Sequence, residues 1–155
     1  MGCVALTESG AAHVRALQAR VDGLTSYPVA RASSDEVAQI VSEVSRQLGS
    51  LPSCTDVEIV RCFAEFRFAA CARIEGKLDS AFRTMMGCLH RADRLGNIDL
   101  QAAMWLDLAM IHRTTGRHRE AFRWLERAMA LGPSAPQHAR LRVNMACSLR
   151  ASGRI

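Results

Sequence analysis

Ala102 to Ser134 reads AAMWLDLAMIHRTTGRHREAFRWLERAMALGPS, and the spacing of its apolar residues decides the fold. Trp105, Leu108, Ala109, Ile111 and His112 recur at three- and four-residue steps, as do Ala121, Phe122, Leu125, Ala128 and Met129. Each set makes one stripe on a helix, so the stretch is two amphipathic helices. Between them Thr115-Gly116-Arg117 forms a tight turn, with Gly116 where a helix end calls for a left-handed residue. Pro133 follows the second helix, at a point where it cannot extend it. Antiparallel helices approach closely only where small residues face each other. That places Ala109, Ala121 and Ala128 at the crossing, with Trp105, Leu108 and Leu125 filling the space around them.

The order Trp105-x-x-Leu108-Ala109-x-x-His112, then Ala121-x-x-x-Leu125, Ala128 and Pro133, resembles one tetratricopeptide repeat, a helix-turn-helix unit of about 34 residues. His112 departs from the pattern, which places Tyr there. The resemblance implies an all-α chain: a right-handed superhelical solenoid of antiparallel helix pairs, about seven helices in all, the last repeat incomplete. A single hairpin is too apolar on its outer faces to stand alone, so neighbours are expected on both sides.

Working outward, Gln137 to Ser152 carries Leu141, Met145, Ala146 and Leu149 on one stripe and reads as a further helix. On the other side, a helix over 78–95 points Leu78, Ala81, Phe82, Met85, Leu89 and Ala92 inward. A long helix over about 56–75 precedes it, opened by a capping box at Thr55 and Glu58. Its apolar residues (Ile59, Cys62, Phe63, Phe66, Ala69, Ala70, Ile74) spread around the surface, which predicts deep burial. A second capping box, Ser33 and Glu36, opens a helix bearing Val37, Ile40, Val41, Val44 and Leu48, and a loop from Thr25 to Ala32 separates it from a first helix striped by Val14, Leu17, Val21 and Leu24. Laid on the best repeat, Phe68-Ala69, Gly76 and Ala81 match Leu108-Ala109, Gly116 and Ala121, with a glycine-to-glycine spacing of 40. The chain is therefore expected to be a single domain over 1–155. It comprises a degenerate helix pair (1–54), a repeat (55–98), the best repeat (99–135) and the first helix of an incomplete one (136–155). The stop at Ile155, before a covering helix, is read as the mark of a fragment of a longer polypeptide, the alternative being a face covered by a partner.

Composition sets the class. The chain is 49% hydrophobic and carries a net charge of +5. The charge is uneven: residues 1–60 hold four arginines against seven acids, and residues 61–155 hold sixteen basic groups against eight. A basic face attracts acidic partners, and a solvated arginine-rich surface is the alternative reading. Cys3, Cys54, Cys62, Cys71, Cys88 and Cys147 show no zinc spacing, which suggests a reducing compartment. With no secretory or membrane-spanning stretch, the expected location is cytoplasmic.

No catalytic or metal constellation stands out. His13, His90, His112, His118 and His138 are scattered, with no metal-binding pair, no phosphate-cradling glycine loop and no nucleophile elbow. The expectation is a protein that is not an enzyme and takes no cofactor or metal. Function then lies in the concave groove that the resemblance implies. Its first helices would present Phe63, Phe66, Ala70 and Arg73, then Ala103, Leu106, Met110 and Arg113, then Arg140, Val143, Cys147 and Arg150. That groove is largely apolar, which suits a helix or a mostly apolar peptide. Arg73, Arg113 and Arg150 each precede a turn glycine by three residues. The recurrence reads either as a ladder for carboxylates or phosphates or as arginines complementing helix dipoles.

The expected function is a non-catalytic scaffold binding a partner peptide or helix, acidic or amphipathic, as the regulatory part of a larger signalling protein. The chain resembles the helical-repeat regions of bacterial signalling proteins. The alternatives are a ligand- or peptide-signal-sensing module of a bacterial diguanylate cyclase or transcriptional regulator and, more weakly, nucleic-acid binding by the arginine-rich C-terminal segment. Homodimerisation through the uncapped C-terminal helix, by Leu141, Met145 and Leu149, is a further expectation. No membrane partner is expected.

Overall fold

The computed structural model describes residues 5–24 and 34–153. Among them are seven α-helices and no strand: α1 (Glu8–Gly23), α2 (Ser34–Gly49), α3 (Thr55–Ile74), α4 (Leu78–Arg94), α5 (Ile98–Thr114), α6 (His118–Ala130) and α7 (Ala135–Ala151). The all-α class expected from the apolar spacing is what the chain adopts. It divides into two compact units, Met1–Lys77 and Leu78–Ile155.

In the first unit α1 and α2 both pack on α3. Val14, Leu17 and Val21 of α1, Val37, Val41, Val44 and Leu48 of α2, and Val57, Val60 and Ala64 of α3 form one buried cluster. The predicted stripes of α1 and α2 are thus faces that meet α3, whereas α3 turns Val57, Val60 and Ala64 toward them in place of the residues named for it, and its Ile74, expected to be buried, is 65% exposed. Thr7 caps α1, its Oγ1 accepting from the Gly10 N–H at 3.1 Å. The capping box predicted at Thr55 does not form. Cys54, extended at φ −145° and ψ 169°, takes the N-cap place without a side-chain bond, and Thr55 is already the first helical residue. Glu58 is drawn instead to Arg61, one turn on. A cap needs extended backbone, and here the chain straightens one residue early. The predicted loop over 25–32 and the Ser33 cap lie outside the described residues.

In the second unit α5 is central, packed by α4, α6 and α7, and α6 also meets α7. Asn97 opens α5 by accepting from the Leu100 N–H at 2.9 Å. At the α5–α6 crossing lie Ala102, Leu106 and Ala109 against Ala121, Leu125 and Ala128, with Leu141 of α7 closing the cluster. The expected small residues sit in the contact, where only a methyl fits between the two backbones. Because α5 has neighbours on three sides, Leu100 through Met104 are all buried, and Gln101 satisfies its amide on the Ala92 carbonyl at 3.4 Å.

The turn after α5 follows from Gly116 at φ +74°. Its N–H donates to the Arg113 carbonyl at 3.0 Å and the Arg117 N–H reaches the His112 carbonyl at 2.8 Å, closing the last carbonyls of the helix. Arg73 and Gly76 repeat the first bond at 3.0 Å, and Arg150 and Gly153 at 3.1 Å. The recurrent Arg-x-x-Gly is therefore a helix-termination device in its backbone, which leaves the arginine side chains to be judged by their surroundings.

Candidate interaction surface

The α5–α6 hairpin is held from within by aromatic rings. Trp105 and Trp124 lie 4.7 Å apart between centroids at 57°. His112 stands 5.3 Å from Trp124 and edge-on to Phe82 of α4 at 6.0 Å and 86°. Trp105 is half-buried, with the Arg127 guanidinium 5.7 Å over its ring. His112 is buried, and neither ring nitrogen has a hydrogen-bond partner. Burial, and then the nearby Arg117 charge, hold its imidazole below the ordinary value near 6.5, against a smaller opposing pull from Glu120. These rings pack the hairpin against α4. Trp124 is the member that the sequence reading passed over. It stands three residues after Ala121 and four before Ala128, on the same helix face, and packs against their cluster.

The twelve expected groove residues separate by exposure. Phe66, Ala103 and Leu106 are buried and serve packing. On α3, Phe63 is half-buried beside Phe66 at 6.1 Å, and Arg67, which the sequence reading did not single out, spreads its guanidinium over both rings at 4.5 and 5.2 Å. Ala70 and Arg73 are also half-buried. In the second unit Met110 and Arg113 of α5 are half-buried, and Arg113 Nη1 donates to Asn144 Oδ1 of α7 at 3.4 Å. Arg140, Val143 and Arg150 of α7 are exposed and Cys147 is partly so, with Val143 63% exposed. Val143, Ala146, Cys147 and Arg150 together line an open cavity of about 300 Å³. Three of its four lining residues belong to the expected set, and they occupy one stripe of α7, at steps of three and four residues. The residues expected to support self-association sit differently: Leu141 is fully buried in the hairpin cluster and Met145 packs against it. The outward face of α7 is instead Ala139, Val143, Ala146 and Arg150.

Residues 102–145, which run from α5 through α6 into α7, match the family model described as tetratricopeptide repeat. The chain carries a tetratricopeptide repeat. No curated protein and no solved structure matches the chain. Tetratricopeptide repeats are typically non-catalytic and generally mediate protein–protein interaction. In this repeat the ring expected at the Tyr place is His112, held by Phe82 and Trp124 without a hydrogen bond. Among the described residues no three His, Cys, Asp or Glu side chains come together as a metal site, and no helix is long and apolar enough to cross a membrane. The cysteines of the helices behave as small hydrophobes: Cys62 and Cys88 are buried, and desolvation pushes the Cys71 thiol above its usual range.

Proposed function

We propose that the chain is a non-catalytic protein-interaction module whose partner docks on the surface shared by α5 and α7 of the tetratricopeptide repeat. Met110 and Arg113 would form one side of that surface, and Arg140, Val143, Cys147 and Arg150 the other. The observation that carries this reading is Val143, a branched apolar side chain 63% exposed beside an open cavity, on a helix whose Leu141 is fully buried. A single exposed aliphatic is ordinary. An exposed aliphatic at the mouth of a cavity, in a repeat of a protein-binding family, points to contact with a partner. The wider setting we propose, the regulatory part of a signalling protein, rests on the resemblance of the 40-residue spacing.

The test is affinity capture with the full chain, comparing the parent with Val143→Asp and with Arg15→Glu on the exposed face of α1. A partner retained by the parent and by Arg15→Glu, and lost from Val143→Asp with helicity intact, is the expected result. A partner captured equally by all three chains places the contact elsewhere and refutes the proposal.

A further inference from the structure

The second unit contains its own template for what covers α7. Gly116 and Gly153 stand at the same turn position, so α5 maps on α7 with Ala102, Leu106 and Ala109 falling on Ala139, Val143 and Ala146. On α5 that small–large–small stripe is buried beneath Ala121, Leu125 and Ala128 of α6. On α7 the same stripe is exposed. The correspondence extends to the arginines. Arg113 donates to Asn144 of the neighbouring helix, and its counterpart Arg150 is an exposed guanidinium on the cavity rim. The α7 surface thus repeats a helix seat that the chain itself fills one repeat earlier.

Charge says what kind of helix fits. Between Ala135 and Ala151 there are three arginines and His138 and no carboxylate. Arg140, Arg142 and Arg150 are all exposed. A second basic helix brought onto this seat would place like charges together, whereas carboxylates would meet guanidiniums with matched geometry. We infer that α7 is the seat for one amphipathic helix of a partner protein, apolar along the stripe that meets Val143 and Ala146 and acidic along its edges. This inference rests on the interaction surface proposed above and adds the chemistry of its occupant.

The probe is a fluorescent, helix-stapled peptide of residues 118–130, the segment that covers the equivalent stripe on α5, made in two forms. One has the native sequence, and the other carries Arg119→Glu, Arg123→Glu and Arg127→Glu, which are exposed positions on α6. Titrated with the full chain by anisotropy, the acidic form binds about tenfold or more tightly than the native form. Val143→Glu and Arg150→Glu in the chain each weaken the acidic form by about tenfold, while Arg15→Glu does not. Equal affinity of the two peptides, no binding by either, or binding indifferent to Val143→Glu overturns the inference. So does a dimer in sedimentation that Val143→Glu abolishes, since the seat then belongs to a second copy. Failure here alongside a captured partner that still depends on Val143 would leave the interaction surface standing and remove only the acidic helix.

Discussion

Gly116 and Gly87 show how much one backbone angle decides at the scale of a residue. Gly116 holds φ +74° at the end of α5, where a side chain is strained even though the space around it is open. Gly87 lies within α4, also in open space but with ordinary helical backbone. Gly116→Ala should therefore destabilise by about 1–2 kcal/mol, and Gly87→Ala should stabilise by about 0.5–1 kcal/mol, both read by urea denaturation. His112 gives a pH dependence with a definite sign. Its imidazole is held below 6.5 in the native state, so as pH falls the unfolded chain takes up the proton first. The stability it allows is complete above pH 6.5 and drains away as pH drops below that value. Phe in this place keeps the ring contacts to Phe82 and Trp124 and removes two unpaired nitrogens. His112→Phe should add about 1 kcal/mol at neutral pH and flatten the stability profile between pH 7 and 5 relative to the parent. A parallel pair of profiles would show that the imidazole titrates freely.

At the scale of elements, the α5–α6 hairpin depends on its small residues. Ala121 and Ala128 are fully buried where the two helices cross, whereas Ala130 is exposed on the same helix. Leucine at either buried position should cost about 1–3 kcal/mol through overpacking, and Ala130→Leu should stay within about 0.5 kcal/mol of the parent. Thermal melts of the three variants decide this. The hairpin was legible in the sequence because an alanine at a crossing leaves a periodic trace at helical spacing. Trp124 shares the spacing of that stripe, but its half-buried ring also meets Phe82 of α4, a partner that spacing within one helix does not name. Thr55 failed for a related reason: a capping motif names the residues that suit a cap, but the chain's path into the helix selects which one is extended.

For the whole molecule, the net charge of +5 governs how an acidic partner is met. Between about 0.05 and 0.5 M salt the association rate of the acidic helix probe should fall several-fold while its dissociation rate changes little, because screening acts on the approach and less on a desolvated contact. Stopped-flow mixing measures both, and a salt effect confined to dissociation would mean that the arginines act only after docking. The sequence by itself determined the all-α class, the helix ends at their turn glycines, and the alanines Ala109, Ala121 and Ala128 at the α5–α6 crossing, because these depend on residues within a few positions of each other; Leu106, expected in the groove, lies at that crossing instead. Only the tertiary structure decided which apolar residues stay at the surface. Leu106 and Val143 occupy the same place in the corresponding helices α5 and α7, one at 4% exposure and the other at 63%, and what separates them is that α6 covers the first.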